Sequence, residues 1–199
     1  MTEPDRMVLV QRKRRVFDSF FKIDEYTVTH SRMSGAGVIE NVTRQVFERG
    51  DSAAALLHNV DDDTVILTEQ FRMPTYEKGA GPDRGWVIET IAGAMEDGET
   101  AEACIRREIM EEVGYQVGPL EPISRFFVSP GGTSERIWLY YAQVSAADFI
   151  DPSASGLAEQ KEDVKRIRMP RQEFLVGVRD GRFEDAKTVI AGMWLALRG

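Results

Sequence analysis

The sequence predicts a mixed α/β (α+β) protein in which strands come first and helices close the chain. Short runs rich in Val, Ile, Thr and aromatic residues recur along its 199 residues, and such runs, bounded by Gly, Pro or Asp, are typical of strands. One segment, 100–113, has instead the apolar spacing of an amphipathic helix. Two further helical segments, 171–179 and 185–197, follow it, and Asp185 is a candidate N-cap for the second.

The N-terminal quarter of the chain is predicted to form a small antiparallel sheet. Its candidate strands are 7–17, 26–33 and 38–47. Three strands rarely make a stable core by themselves, so we expect this sheet to pack on the main body or on a second copy of the chain. We therefore divide the chain into an N-terminal dimerisation element, 1–50, and a main domain, 51–199.

The main domain is predicted to open with a β-hairpin. Its two strands, 53–59 and 64–70, flank an aspartate-rich turn. Proline and glycine then predict a loop at 73–84. Further strands are predicted at 86–94, 123–128, 136–144 and 164–169, with a long polar loop at 146–162.

Charge and composition exclude several classes of protein. The 25 Lys and Arg residues are outnumbered by 33 Asp and Glu, and the net charge of −8 argues against a nucleic-acid binder or a membrane-surface protein. The single cysteine, Cys104, excludes an intrachain disulfide and a cysteine-based zinc site. No stretch resembles a signal sequence or a membrane span. We expect a cytoplasmic protein with no membrane or nucleic-acid partner.

The helix predicted at 100–113 carries an unusual density of carboxylates. The segment 93–115 contains seven acidic residues and two basic ones. A charge run of this kind is usually a solvated face. Here, however, Glu108, Glu111 and Glu112 fall within about 100° of one another around the helix. Carboxylates that converge in this way favour a site for hard divalent cations, which prefer oxygen ligands.

The same segment carries a family resemblance. Gly93, Glu99 and the run Arg107-Glu108-Ile109-Met110-Glu111-Glu112-Val113-Gly114-Tyr115 resemble the sequence box of the Nudix hydrolases at every fixed position. Tyr115 alone departs from the pattern, because the family has a bulky aliphatic residue there. The resemblance implies an α/β/α sandwich with a mixed β-sheet and a Mg²⁺-dependent pyrophosphohydrolase.

The resemblance also implies roles for individual residues. Mg²⁺, with Mn²⁺ as the alternative, would bind Glu108, Glu111 and Glu112 and the backbone carbonyl of Ala92. Glu99 and Arg107 would form a supporting pair.

The general base would come from the acidic loop 156–163. The family commonly has two glutamates one residue apart in this loop, and here Gln160 stands at the first of these positions. Glu162 is therefore the first candidate and Glu159 the second. An acidic surface loop without a catalytic role is the other interpretation.

Resemblance outside the box points to the branch that holds ADP-ribose and GDP-mannose pyrophosphatases. It rests on Glu48–Gly50, Glu69–Arg72, Glu89 and Ser129–Glu135. The spacing of Pro130 from the box and the run 129–136 favour ADP-ribose, whereas 104–106, 114–115 and 185–188 favour GDP-mannose, so both stay open. The implied substrate contacts are Arg72, Glu89, Ser129, Gly131, Gly132, Glu135, Arg44 and Phe21, the last two in some relatives from a partner subunit.

The implied reaction is hydrolysis of a nucleoside diphosphate sugar by a homodimer. ADP-ribose would give AMP and ribose 5-phosphate, and GDP-mannose would give GMP and mannose 1-phosphate. One alternative is a Nudix hydrolase of dinucleoside polyphosphates or oxidised nucleoside triphosphates. A second alternative, from another functional class, is a non-catalytic nucleotide-sensing module.

Overall fold

Two compact units, each built around its own β-sheet, divide the chain in the computed structural model. The first unit contains the residues up to Gly50 and the segment Phe127–Glu135, and the second contains Asp51–Phe126 and Arg136–Gly199. Among the described residues, no helix is both long and apolar enough to cross a membrane. The structure describes residues 6–151, 153–156 and 163–198.

The sheet of the first unit has three antiparallel strands, β1 (Val8–Asp18), β2 (Lys22–Ser31) and β3 (Val38–Glu48), in that order. This confirms the three predicted strands. Strand β2 starts four residues earlier than predicted, because its charged first residues are stabilised by cross-strand partners. Asp24, almost fully buried, accepts hydrogen bonds from Nε and Nη2 of Arg15 on β1, at 2.5 and 3.2 Å.

The sheet of the second unit is mixed. A central path of five strands runs β10-β5-β4-β9-β8, while β6 pairs with β5 and β7 pairs with β4. The pairing of β4 with β9 is parallel, and the pairings of β4 with β5 and β7 are antiparallel. Its strands are β4 (Ser52–Asn59), β5 (Thr64–Phe71), β6 (Trp86–Glu89), β7 (Ile91–Ala94), β8 (Glu121–Phe127), β9 (Arg136–Val144) and β10 (Lys165–Pro170).

Helices cover both faces of this second sheet. Alternate residues of β4 point to opposite faces, so Ala53 and Leu57 pack in one apolar cluster and Ala54 and Leu56 in another. The first cluster contains the helix α2 and the second contains α3 and α4, which confirms the expected α/β/α class. The helices are α1 (Met73–Lys78), α2 (Ala101–Val113), α3 (Arg171–Arg179) and α4 (Ala186–Ala196), with a 3₁₀ turn at Ala146–Asp148.

Two predicted elements differ from the structure. The loop predicted at 73–84 was wrong over Met73–Lys78, which is helical, because Pro74 lies in the first turn, where its missing N–H costs nothing. The single strand predicted at 86–94 is two strands, β6 and β7. They separate at the buried Thr90, whose N–H donates to Thr188 Oγ1 at 2.8 Å instead of joining the sheet.

Candidate functional site

Local sequence fixes both ends of α2. The side chain of Thr100 caps the N-terminus by accepting a hydrogen bond from Ala103 N at 3.2 Å. At the other end Gly114 has φ of 73°, the left-handed conformation that glycine adopts without strain. A Cβ at this position would also overlap the backbone oxygen of Asp151. The helix therefore starts and stops where the sequence directs it.

One face of α2 packs into the core and the neighbouring face carries the carboxylates. Ile105, Ile109 and Val113 are fully buried. Glu112, next to Val113, is only 4% exposed. A carboxylate at that depth is tolerated when a cation or hydrogen-bond donors accompany it.

Arg107 is the centre of the carboxylate cluster. Its Nε and Nη2 each donate to a different oxygen of Glu99, both at 3.1 Å. Its Nη1 donates to Glu108 Oε1 at 2.7 Å and to Glu111 Oε2 at 3.2 Å. One nitrogen thus bridges two carboxylates, which shows that Glu108 and Glu111 lie close to each other.

The hydrogen bonds between Arg107 and Glu99 shift the pKa values of both groups in the directions that favour their charged forms. The hydrogen bonds from Arg107 hold the pKa of Glu99 below its usual value. In return, Glu99 chiefly raises the pKa of the Arg107 guanidinium, with Glu108 adding to the shift. Both groups are therefore charged at neutral pH, and Glu99, Glu108 and Glu111 share one guanidinium.

Strand β7 lies directly against this cluster. A Cβ on Gly93 would overlap the Glu108 carboxylate, so only glycine leaves room for it. Cys104 Sγ, on α2, donates to the carbonyl oxygens of Gly93 and Ala94 at 3.6 and 3.5 Å. Burial, which is the largest cause, raises the pKa of the Cys104 thiol to about 12. These contacts hold the strand that contains Ala92 beside the carboxylates.

The donor set suits a hard cation, although the side chains do not surround one point. Within the described part of the chain, no three His, Cys, Asp or Glu side chains are arranged to hold a metal ion. Glu108 and Glu111 instead bond to Arg107. Carboxylate and carbonyl oxygens are nevertheless the ligands that Mg²⁺ and Mn²⁺ prefer, and the space above Gly93 admits the Glu108 carboxylate.

Both candidate general bases, Glu159 and Glu162, lie outside the described residues. The structure describes the residues on either side of 157–162. Gly156 N donates to Glu111 O at 3.1 Å, and Val164 N donates to Ser155 O at 2.9 Å. The described ends of this segment therefore meet each other next to α2.

A second charged cluster in the second unit brings together two of the predicted substrate contacts. Arg72, directly after β5, donates through Nε to Glu89 Oε1 at 2.8 Å. Lys187 Nζ donates to Glu89 Oε2 and, at 2.8 Å, to Asp185 Oδ1. We call Arg72, Glu89, Asp185 and Lys187 the Glu89 cluster.

Sequence reasoning missed Lys187. It lies in the segment 185–188 whose resemblance favours GDP-mannose, but no role was assigned to it. Its local sign is a lysine at the second position of a helix, where the helix dipole disfavours a cation. The partner that explains it, Glu89, is 98 residues away in the sequence.

The remaining predicted contacts belong to the first unit. The turn Ser129–Gly132 closes with a hydrogen bond from Gly132 N to Ser129 O at 3.0 Å and contains Gly131. It pairs with the end of β3, where Phe47 N donates to Gly132 O at 2.8 Å. The Phe21 ring lies 5.0 Å from the Phe47 ring. The turn and Phe21 are therefore neighbours around Phe47.

The two charged residues of the first unit that were predicted to contact substrate, Glu135 and Arg44, lie in different surroundings. Glu135, 6% exposed, pairs with Arg49 at 3.5 Å. The Arg49 guanidinium carbon also lies 5.9 Å from the centre of the Phe21 ring. Arg44 is exposed and lies three residues before Phe47 on β3, so its side chain leaves the opposite face of that sheet. The structure thus groups Glu135 with Phe21 and separates Arg44 from them.

Comparisons with known proteins agree on one family. A family model described as the NUDIX domain matches residues 48–190. The GDP-mannose pyrophosphatase of Pectobacterium atrosepticum is 36% identical over 190 residues, which cover 96% of this chain and 94% of that protein. The ADP-ribose pyrophosphatase of Escherichia coli K12 is 33% identical over 205 residues, which cover 99% of this chain and 95% of that protein.

A comparison with solved structures supports the same fold. The crystal structure of an ADP compounds hydrolase superposes with a TM-score of 0.69 and covers 96% of this chain and 93% of that one. Its sequence identity is 18%, so this likeness concerns the fold alone.

Proposed function

We propose that this chain, which belongs to the Nudix hydrolase family, hydrolyses the diphosphate bond of nucleoside diphosphate sugars. Relatives named GDP-mannose pyrophosphatase and ADP-ribose pyrophosphatase align over nearly its whole length at 36% and 33% identity. The observation that carries the proposal is the convergence of Glu108 and Glu111 on one nitrogen of Arg107, beside Gly93. Such paired carboxylates suit cations that neutralise a diphosphate.

In the proposed site a divalent metal, Mg²⁺ or Mn²⁺, would be held by Glu108, Glu111 and Glu112 together with the carbonyl oxygen of Ala92. When bound, it supplies charge neutralisation at the diphosphate and activation of the attacking water. A diphosphate and a carboxylate helix repel each other strongly at short range unless cations separate them. The buried position of Glu112 and the close approach of Glu108 to Gly93 support this assignment.

Arg107 and Glu99 are positioning residues in this proposal. The two hydrogen bonds between them tie the centre of α2 to the loop before it. The remaining nitrogen of Arg107 then restrains Glu108 and Glu111 from one side. Because paired guanidinium and carboxylate groups have a defined geometry, this restraint orients the carboxylates that bind cations.

The general base that we propose is Glu162, with Glu159 as the second candidate. Its carboxylate would accept a proton from the water that attacks phosphorus in line with the leaving phosphate. The hydrogen bond from Gly156 N to Glu111 O supports a base from this segment, because it starts the segment beside a proposed metal ligand. Gln160, which stands at the other family position, lacks a basic carboxylate.

The substrate contacts that we propose fall into two groups. In the second unit, Arg72 binds a phosphate oxygen through its guanidinium, and Glu89 holds Arg72 in place. In the first unit, the base stacks on Phe21, and Arg44, on the other face of the sheet, contributes a cation to the phosphate of a substrate bound by the second copy of the chain. Stacking a base on an aromatic ring is worth about 1–3 kcal/mol. The remaining proposed contacts are Ser129, Gly131, Gly132 and Glu135.

We propose that the active form is a homodimer in which the first unit is the dimerisation element. Its strand β1 is exposed along its whole length. Val8, Val10, Phe17 and Phe20 are among the exposed apolar side chains on or next to this strand. An exposed apolar patch on a small sheet is typical of a protein–protein interface.

The test is a comparison of kcat/KM for ADP-ribose and GDP-mannose in the presence of Mg²⁺, with the products identified. Hydrolysis of either compound to a nucleoside monophosphate and a sugar phosphate supports the proposal, and the ratio names the preferred substrate. Turnover of dinucleoside polyphosphates or oxidised nucleoside triphosphates instead would overturn the substrate assignment. Nucleotide binding with no turnover of any of these would favour a sensing module.

A further inference from the structure

The Glu89 cluster contains a buried lysine that the proposed reaction does not use. Lys187 is 8% exposed and Glu89 is 3% exposed, whereas the Arg72 side chain is 42% exposed. The four members come from three separate segments of the second unit, namely the end of β5, the strand β6 and the start of α4. Two cations face two carboxylates, so the cluster is balanced in charge.

Lys187 occupies a position that is unfavourable by itself. It lies in the first turn of α4, behind the N-cap Asp185, which accepts from Thr188 N at 3.0 Å. A helix N-terminus disfavours a cation, and burial of an ammonium group is costly unless it is paired. Burial lowers the pKa of Lys187, but Glu89 and Asp185 more than offset this and leave its pKa above the usual value.

Glu89 binds its arginine differently from three other carboxylates of the described chain. Three other arginines of the described chain make two parallel bonds with one carboxylate, in which Nε and Nη2 donate to different oxygens. Arg107 pairs in this way with Glu99, Arg15 with Asp24, and Arg136 with Asp51. A lysine competes with such a pair without excluding it: Asp24 Oδ2 lies 3.1 Å from Lys13 Nζ and accepts the longer of the two Arg15 bonds, at 3.2 Å.

Arg72 is different from these three arginines, because it bonds to Glu89 through Nε alone. The second oxygen of Glu89 accepts from Lys187. The lysine therefore competes with Arg72 for this oxygen.

We propose that Lys187 is a positioning residue for Arg72. By bonding to Glu89 Oε2, it competes with a second bond from Arg72 to this carboxylate, and so favours the arrangement in which the terminal amino groups of Arg72 bind a phosphate of the substrate. A guanidinium binds phosphate best through two neighbouring N–H groups. The inference rests on the proposed function, because Arg72 is taken there as a phosphate contact.

The first test is binding of inorganic pyrophosphate in the presence of Mg²⁺, which needs no turnover. Lys187→Met keeps the chain length and removes the ammonium group, so Arg72 should close its second bond on Glu89. We expect the Kd to rise about tenfold, the effect of losing one hydrogen bond to a charged group. Arg72→Gln should have a similar effect. Lys187→Met should add nothing in the Arg72→Gln background, because Lys187 acts through Arg72.

A rescue variant separates positioning from a structural role. In Lys187→Met/Glu89→Gln, the side-chain amide nitrogen introduced at position 89 cannot accept a second bond from Arg72. Pyrophosphate affinity should therefore recover from the level of Lys187→Met. With an active enzyme, the same pattern should appear in KM for the nucleoside diphosphate sugar, with kcat changing much less. Lys165→Met is the matched control, because it removes a lysine that pairs with Glu69 at 2.9 Å on the sheet surface.

Three results would overturn the inference. The first is an unchanged Kd for pyrophosphate in Lys187→Met, and the second is equal weakening by Lys187→Met in the wild-type and Arg72→Gln backgrounds. The third is no recovery of affinity in Lys187→Met/Glu89→Gln. If Lys187→Met does not fold, the double variant alone decides. It must then bind pyrophosphate nearly as wild type does and weaken on addition of Arg72→Gln. Lack of turnover by the wild-type protein would overturn the proposed function. The pyrophosphate-binding comparison would still test whether Lys187 positions Arg72.

Discussion

The carboxylate cluster around Arg107 and the Glu89 cluster differ in how many cations accompany their carboxylates. Glu108 and Glu111 on α2 and Glu99 in the loop before it share one guanidinium, that of Arg107. In the Glu89 cluster, Glu89 and Asp185 meet two cations, Arg72 and Lys187. The first cluster has an excess of negative charge, and the second is balanced.

This difference indicates different tasks. A cluster with excess carboxylate gains most from cations that it does not carry itself, and this is what a metal-dependent hydrolase requires. A balanced, buried cluster gains little from an added ion, because its charges already satisfy one another. It is suited to hold a neighbouring side chain in one geometry, although burying its charges carries a desolvation penalty. Substitutions should therefore affect metal binding in the first cluster and positioning in the second.

The largest effect is expected from Glu108→Gln, which removes a charge from the proposed metal site. We expect kcat/KM to fall by at least about 100-fold, the upper range for changes one shell outside a metal, with weaker Mg²⁺ binding by calorimetry. The fold should persist, because the helix core and caps are untouched. Glu102→Gln removes an exposed glutamate from the same helix and is the control. Equal activities of the two variants would contradict the metal assignment.

Gly93→Ala should have the next largest effect, because its Cβ would displace the Glu108 carboxylate. A catalytic group moved by about 1 Å can cost up to about 100-fold in rate, so we expect kcat/KM to fall by about 10–100-fold. Gly118→Ala is the matched control, since a Cβ there meets nothing within 4 Å. If both variants retain full activity, the close approach of Glu108 to Gly93 is not part of the working site.

Substitution of Asp185 should affect stability more than activity. Its carboxylate caps α4 and also pairs with Lys187, so Asp185→Ala should lower the free energy of unfolding by about 1–2 kcal/mol. Asp185→Asn keeps a cap acceptor and should lose less. KM should change little in either variant, because the bond from Lys187 to Glu89 remains. A large increase in KM in Asp185→Asn would show that the pairing with Asp185 itself positions the cluster.

The smallest effect concerns the pH dependence of stability. Arg107 holds the pKa of Glu99 below its usual value of 4.5, so the folded protein binds this proton less readily than the unfolded chain. The stabilisation is therefore present above that value and is lost as pH falls below it. The difference in Tm between wild type and Glu99→Gln should be largest near neutral pH and shrink in acid. A difference that is independent of pH would show that charge pairing with Arg107 does not stabilise the fold.

Much of the fold could be predicted from local sequence. The strand β9 and the helix α3 have the bounds that the pattern predicted, and α2 starts one residue later because Thr100 is its cap. These elements follow from hydrophobic periodicity and capping, which act over a few residues. The break at Thr90 was not predictable, because it arises from a hydrogen bond to a residue 98 positions away.

By itself, the sequence determined the family, the α/β/α class and the helix on which Glu108, Glu111 and Glu112 lie. The physical reason is that these carboxylates are within one or two turns of each other, so helical geometry alone brings them together. Only the tertiary structure decided that Glu89 binds both Arg72 and Lys187, because these residues meet through the docking of α4 near the separate strand β6. The restraint on Arg72 is a property of that docking and has no local sequence signal.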